Sequence, residues 1–146
     1  MLTAQILSEK VAERFKMKQI TVHSEVYEGT PILKLKPDAF GGGKAEIELE
    51  ISFTDANGGV MTEFFAELAN GIDINKSILV MYGLNTMNCQ TQIGSYAVLP
   101  DSGVLFYRYQ LHLRSELGSE NDVLNSLELV LNQIDLDFSP ILELLN

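Results

Sequence analysis

The chain has 146 residues, 46% of them hydrophobic and 21% charged, with seven Phe and five Tyr, the make-up of one folded domain and not of a disordered chain. Ten basic against twenty acidic side chains leave a formal charge of −10, a field that repels phosphate backbones and anionic lipid surfaces, so neither nucleic acid nor a membrane is an expected partner. Cys89 is the only cysteine, which excludes a disulfide within the chain and fits a reducing, cytoplasmic compartment.

Near the start, Glu9, Lys10, Glu13 and Arg14 interrupt any apolar run that a secretory signal needs, and no stretch approaches the ~18 uninterrupted apolar residues of a membrane span. Ala4, Leu7, Val11 and Phe15 recur at helical spacing after Thr3, which predicts an amphipathic helix over residues 3–17 with Thr3 as its N-cap. From Gln19 the period changes to two. Ile20, Val22 and Val26 alternate with Thr21, His23, Glu25 and Tyr27, predicting a strand over about residues 19–28 with the first set facing inward.

Glu28, Gly29, Thr30 and Pro31 supply turn chemistry, and Leu33 and Leu35 alternate with Lys34 and Lys36 in the returning strand, which Pro37 ends. Gly41, Gly42 and Gly43 predict a loop. The clearest alternation follows: Ala45, Ile47, Leu49, Ile51 and Phe53 against Lys44, Glu46, Glu48, Glu50 and Ser52, an antiparallel strand with one buried and one wet face. Asp55 to Gly59 turn the chain, and Val60, Thr62, Phe64, Ala66 and Leu68 run back facing the core. The pleat then sends Met61, Glu63, Phe65 and Glu67 to the opposite face, putting two large apolar side chains on a surface otherwise written for water. Met61 and Phe65 are therefore candidates for a partner or dimer surface, with Tyr27 as its extension.

Asp73 or Asn75 can cap a helix over roughly residues 76–89, whose apolar surface is wide enough to predict a largely buried element. Residues 93–99 and 104–113 form another hairpin around Pro100, Asp101, Ser102 and Gly103. Ser119 is the expected cap of a final helix along Leu124, Leu127, Leu131, Ile134, Phe138, Ile141 and Leu145. Pro140 predicts a break near Leu136 to Phe138 and a short terminal helix beyond it. The last part of the chain, from Glu116 to Glu143, carries seven carboxylates and no Lys or Arg, read as a solubilising face. The order α-β-β-β-β-α-β-β-α, dominated by hairpins, predicts a single α+β domain: an antiparallel sheet of hairpins with N-terminal, central and C-terminal helices packed on it.

No constellation for catalysis stands out, and no catalytic, cofactor-binding or metal-ligating residue is assigned. His23 and His112 are the only histidines and lie far apart in predicted strands. Cys89 has no neighbouring cation in sequence to lower its pKa. Glu46, Glu48 and Glu50, with Glu63 and Glu67 across the hairpin, gather carboxylates on one strand face, more simply a solvated face than a cation site. Tyr82, Tyr96 and Phe106 are candidates to line a pocket between helix and sheet, the basis of an alternative reading as a small-molecule sensor or minor enzyme.

Leu84-Asn85-Thr86-Met87-Asn88, then Gly94-Ser95-Tyr96-Ala97-Val98, then Asp101-Ser102-Gly103-Val104-Leu105-Phe106-Tyr107-Arg108 resembles the YbjN-like family of bacterial sensory transduction regulators. That family has a helix ending in an L-N-x-x-N-like motif, a hairpin with D-x-G-x-[LI]-x-[FYL]-R, and a closing helix. The resemblance covers about half the chain, from Ile78 onward. It implies a type III secretion chaperone-like fold and a non-enzymatic role as a chaperone-like or regulatory adaptor. On that reading the protein contacts a protein partner of unknown identity, uses no cofactor and forms a homodimer. Asn85 and Asn88 are expected to bond free backbone groups at the helix end.

Overall fold

The computed structural model describes residues 1–36 and 47–146. Pro37, the Gly41–43 loop and Lys44, Ala45 and Glu46 of the third expected strand lie outside the described residues. Three helices and six strands follow in the order α1 (Ala4–Met17), β1 (His23–Tyr27), β2 (Thr30–Leu35), β3 (Leu49–Ala56), β4 (Gly59–Ala69), α2 (Ile74–Gln90), β5 (Ser95–Leu99), β6 (Val104–Leu113) and α3 (Ser119–Leu145). The strands form one antiparallel sheet in the order β1-β2-β3-β4-β6-β5, so the α+β class expected from the hairpin pattern is what forms. Among the described residues, no helix is long and apolar enough to cross a membrane.

Local chemistry explains the hairpins. Tyr27 pairs with Thr30 and Ala56 with Gly59, leaving the two-residue loops Glu28-Gly29 and Asn57-Gly58. All four loop residues have positive φ, between 49° and 81°, the type I′ geometry whose twist matches the flanking strands. The third hairpin turns over Pro100 to Gly103, as the sequence indicates.

One face of the sheet carries the core. Leu33, Leu35, Leu49, Ile51, Phe53, Val60, Phe64, Ala66, Tyr96, Val98, Leu105 and Tyr107 are all buried there, and the register aligns them in rows such as Leu33, Ile51 and Phe64. The helices lie across this face in the order α1 over β2 and β3, α3 over β4 and β6, and α2 over the edge strand β5. Thr3 caps α1, accepting from the Ile6 amide at 3.2 Å. The carboxylate of Asp55 accepts from the Ala4 amide at 2.8 Å, tying the positive end of α1 to the end of β3.

Five expectations are corrected. The first strand begins at His23, because Gln19 takes a φ of 60° and Ile20 bonds back to Phe15 at the helix end. Ile20 and Val22 still pack on the core, but Val26 is exposed on an edge strand. Leu68 packs on the core as expected, although the β4–β6 register shifts between Glu67 and Ala69. Only Ser77, Val80 and Leu84 of α2 are buried, so that helix is not the largely buried element expected. Gly118, with φ of 82°, occupies the N-cap position of α3, and the Ser119 hydroxyl instead donates to the Ser115 carbonyl. Finally, α3 is one helix that continues through Pro140. Beyond the proline, Ile141 is buried and Leu144 packs against Gly83 of α2. Burial of that last turn outweighs the cost of one lost hydrogen bond and a crowded carbonyl.

Candidate functional site

Two of the surfaces with exposed apolar side chains gather them into patches that no described element covers. The first is the face of the sheet opposite the helices. Met61 and Phe65 point there from β4, as the pleat requires, and each is half-buried among its strand neighbours. Tyr27 shares the face at its β1 rim and is 64% exposed, three strand spacings, about 14 Å, from β4. The structure therefore sets all three on one face without gathering them: Met61 and Phe65 stand four residues, about 13 Å, apart along β4 with Glu63 between them, and Tyr27 lies at the margin.

Sequence reasoning missed the rest of this patch. Phe106 stacks on Phe65 with ring centroids 5.3 Å apart, and the register places Ala97 beside Phe106 and Leu99 beside Val104. In β6 the run Val104-Leu105-Phe106-Tyr107 is apolar on both parities, so alternation cannot say which residues face inward. Tyr107 resolves it: its buried hydroxyl donates to the Ile93 carbonyl at 2.9 Å and fixes Phe106 outward.

Around the aromatic pair lies a ring of charge. Arg108 donates to Glu63 from Nε and Nη2 at 3.0 and 3.2 Å, and Gln110 donates to the same carboxylate at 2.9 Å. Lys34 sits 3.0 Å from Glu25 and 3.6 Å from Glu50; the hydrogen bond to Glu25 raises its pKa, opposed by desolvation and helped by both carboxylates. The acidic strand face, expected to be solvated, is thus partly neutralised by the protein's own basic groups, while Glu46 lies outside the described residues. Beside Phe65 a hollow of about 330 Å³ is lined by Ile47, Glu48, Glu50, Glu67 and Leu68.

The second surface is the outer arc of α2. Ile74, Ile78, Leu79, Met81 and Tyr82 are 41–71% exposed. The opposite flank is the one that meets α3, where Gly83 lets Leu144 approach and Lys76 donates to the Leu145 carbonyl. A wide apolar surface was legible in the sequence. That half of it stays open follows from the position of α2 at the end of a three-helix layer.

The pocket expected from Tyr82, Tyr96 and Phe106 does not exist. Tyr82 lies on the open arc of α2, Phe106 on the uncovered sheet face, and Tyr96 is buried between them at 2% exposure. Tyr96 is structural: its hydroxyl donates to Asp137 at 2.7 Å, and Gln133 donates to the same carboxylate at 2.8 Å. The Asn88 amide pairs with the Tyr96 backbone in both directions, at 2.8 and 2.9 Å, imitating a neighbouring strand. Asn85 is exposed. His112 Nε2 is 2.8 Å from the Ala56 carbonyl and donates to it, His23 lies on the edge strand 3.6 Å from Glu25, and Cys89 is exposed. Among the described residues no three acidic, His or Cys side chains come close enough to hold a metal ion. No protein-family model and no curated protein matches this chain.

Proposed function

We propose that the protein is a non-enzymatic adaptor of the chaperone-like or regulatory kind that the YbjN-like resemblance implies, and that it grips a polypeptide partner on the uncovered sheet face. The observation that carries this reading is the Phe65–Phe106 stack on that face, with Met61 farther along the same strand and a carboxylate-lined hollow beside Phe65. Such a surface fits an apolar side chain flanked by Lys or Arg: the aromatic pair supplies the anchor, and Glu48 and Glu67 attract the basic flanks. Tyr27 extends the contact at the β1 rim.

The test is the double variant Met61→Ser, Phe65→Ser. Tagged protein recovered from its native host should bring down one specific protein, and the double variant should lose it while its melting temperature changes by no more than about 3 °C, the shift of roughly 1 kcal/mol in a domain of this size. Unfolding of the double variant, or repeated recovery of the wild-type chain alone, contradicts the reading.

A further inference from the structure

Twice in the chain an asparagine precedes a glycine, at Asn57-Gly58 and at Asn70-Gly71, and both asparagines are exposed. Such a pair carries its own chemistry, because glycine has no side chain to shield its backbone nitrogen, which can reach the side-chain carbonyl carbon of the asparagine before it. Whether it does so depends on how freely the main chain turns there.

The first pair is held shut. Asn57 and Gly58 are the two loop residues of a type I′ turn, with φ of 49° and 76°, closed by the Ala56–Gly59 pair and by His112 Nε2, which donates to the Ala56 carbonyl at 2.8 Å. Turning the Asn57 backbone toward its side chain would break that hairpin end. The second pair is open. Asn70 follows the last residue of β4, just beyond the register shift between Glu67 and Ala69, and neither it nor Gly71 belongs to a helix or strand. The Gly71 amide donates to no described residue, and a Cβ built on Gly71 would meet nothing within 4 Å.

We infer that Asn70 is a site of spontaneous deamidation, and that the folded chain directs this chemistry to Asn70 and away from Asn57. The Gly71 backbone nitrogen attacks the Asn70 side-chain carbonyl carbon and passes its proton, through solvent, to the departing amide nitrogen, so that ammonia leaves and a succinimide ring closes. Water then opens the ring at either carbonyl, leaving aspartate or isoaspartate. The product changes two things. Asn70 Nδ2, which donates to Glu67 at 3.3 Å, is replaced by a carboxylate oxygen, so that bond becomes a repulsion, and the hollow beside Phe65, lined by both residues, gains a negative charge. The isoaspartate form also inserts one carbon into the main chain between Ala69, paired with Leu105, and Ile72, whose amide donates to the Gly103 carbonyl at 3.1 Å. This chemistry belongs to the chain itself and is independent of the partner proposed for that face.

Peptide mapping by mass spectrometry of the full chain, kept folded in mildly alkaline buffer over successive days, reads both sites together, with enzymatic methylation marking isoaspartate. Asn70 is expected to convert at least about fivefold faster than Asn57, the factor that a modest local opening free energy imposes on the closed hairpin. In urea, where the turn is gone, the two should convert at the same rate. Asn70→Gln keeps an amide but is one carbon too long for the same ring, and should abolish the product at this position while leaving Asn57 unchanged. Equal rates in the folded chain, faster conversion at Asn57, a difference that survives in urea, or conversion at Asn70 no greater than at Asn121 in α3 would each overturn the inference.

Discussion

The hydroxyl of Tyr96 joins sheet to helix through polar atoms in an otherwise apolar interior, giving its proton to Asp137 while Gln133 shares the same carboxylate. Removing it in Tyr96→Phe should cost about 2 kcal/mol at pH 8, the worth of a hydrogen bond to a charged group, since the ring that fills the space is kept. Burial, then the bond to Asp137, pushes the Tyr96 phenol above its ordinary range, and burial does the same to Tyr107. For a phenol whose folded pKa is raised, the stabilising difference is full below the unfolded value of about 10 and is lost as pH climbs above it, because the unfolded chain releases a proton that the folded chain keeps. Urea melts should therefore show the wild type losing stability above about pH 10, with the gap to Tyr96→Phe narrowing there. A gap that stays constant with pH would remove Tyr96 from this role.

At the scale of elements, Pro140 separates two pictures of the C-terminus. With α3 continuous through it, Pro140→Ala restores a backbone donor and relieves crowding in a helix interior, and should stabilise by about 1–3 kcal/mol in urea denaturation. No gain would mean that the chain breaks there, as proline chemistry alone suggests. The difference shows what the sequence can and cannot carry. Alternation in Leu49, Ile51 and Phe53, Asn-Gly at a turn and Thr3 before a periodic run each encode their outcome locally, and those elements form as expected. Pro140 and the outer face of α2 depend on what packs against them: Ile141 and Leu144 hold a turn that would otherwise fray, and nothing described covers Tyr82. The candidate site divides in the same way. Met61 and Phe65 follow from parity in a strand with one polar face, whereas Phe106 was invisible because β6 is apolar on both faces near its start.

For the whole molecule, a six-stranded sheet covered on one face by three helices leaves two apolar areas that point in different directions. One is framed by Glu48, Glu67 and the Arg108–Glu63 pair, and the other is free of carboxylates. The carboxylate-framed area is the one whose charge suits the basic, apolar polypeptide proposed as partner. The most direct measurement is photo-crosslinking in the native host, with a benzophenone side chain placed at Phe65, or at the exposed α3 residue Glu128 as control. The Phe65 position is expected to yield one discrete adduct with a different protein, and the control none. If Phe65 gives no adduct beyond that of the control, the uncovered sheet face is not where the protein works.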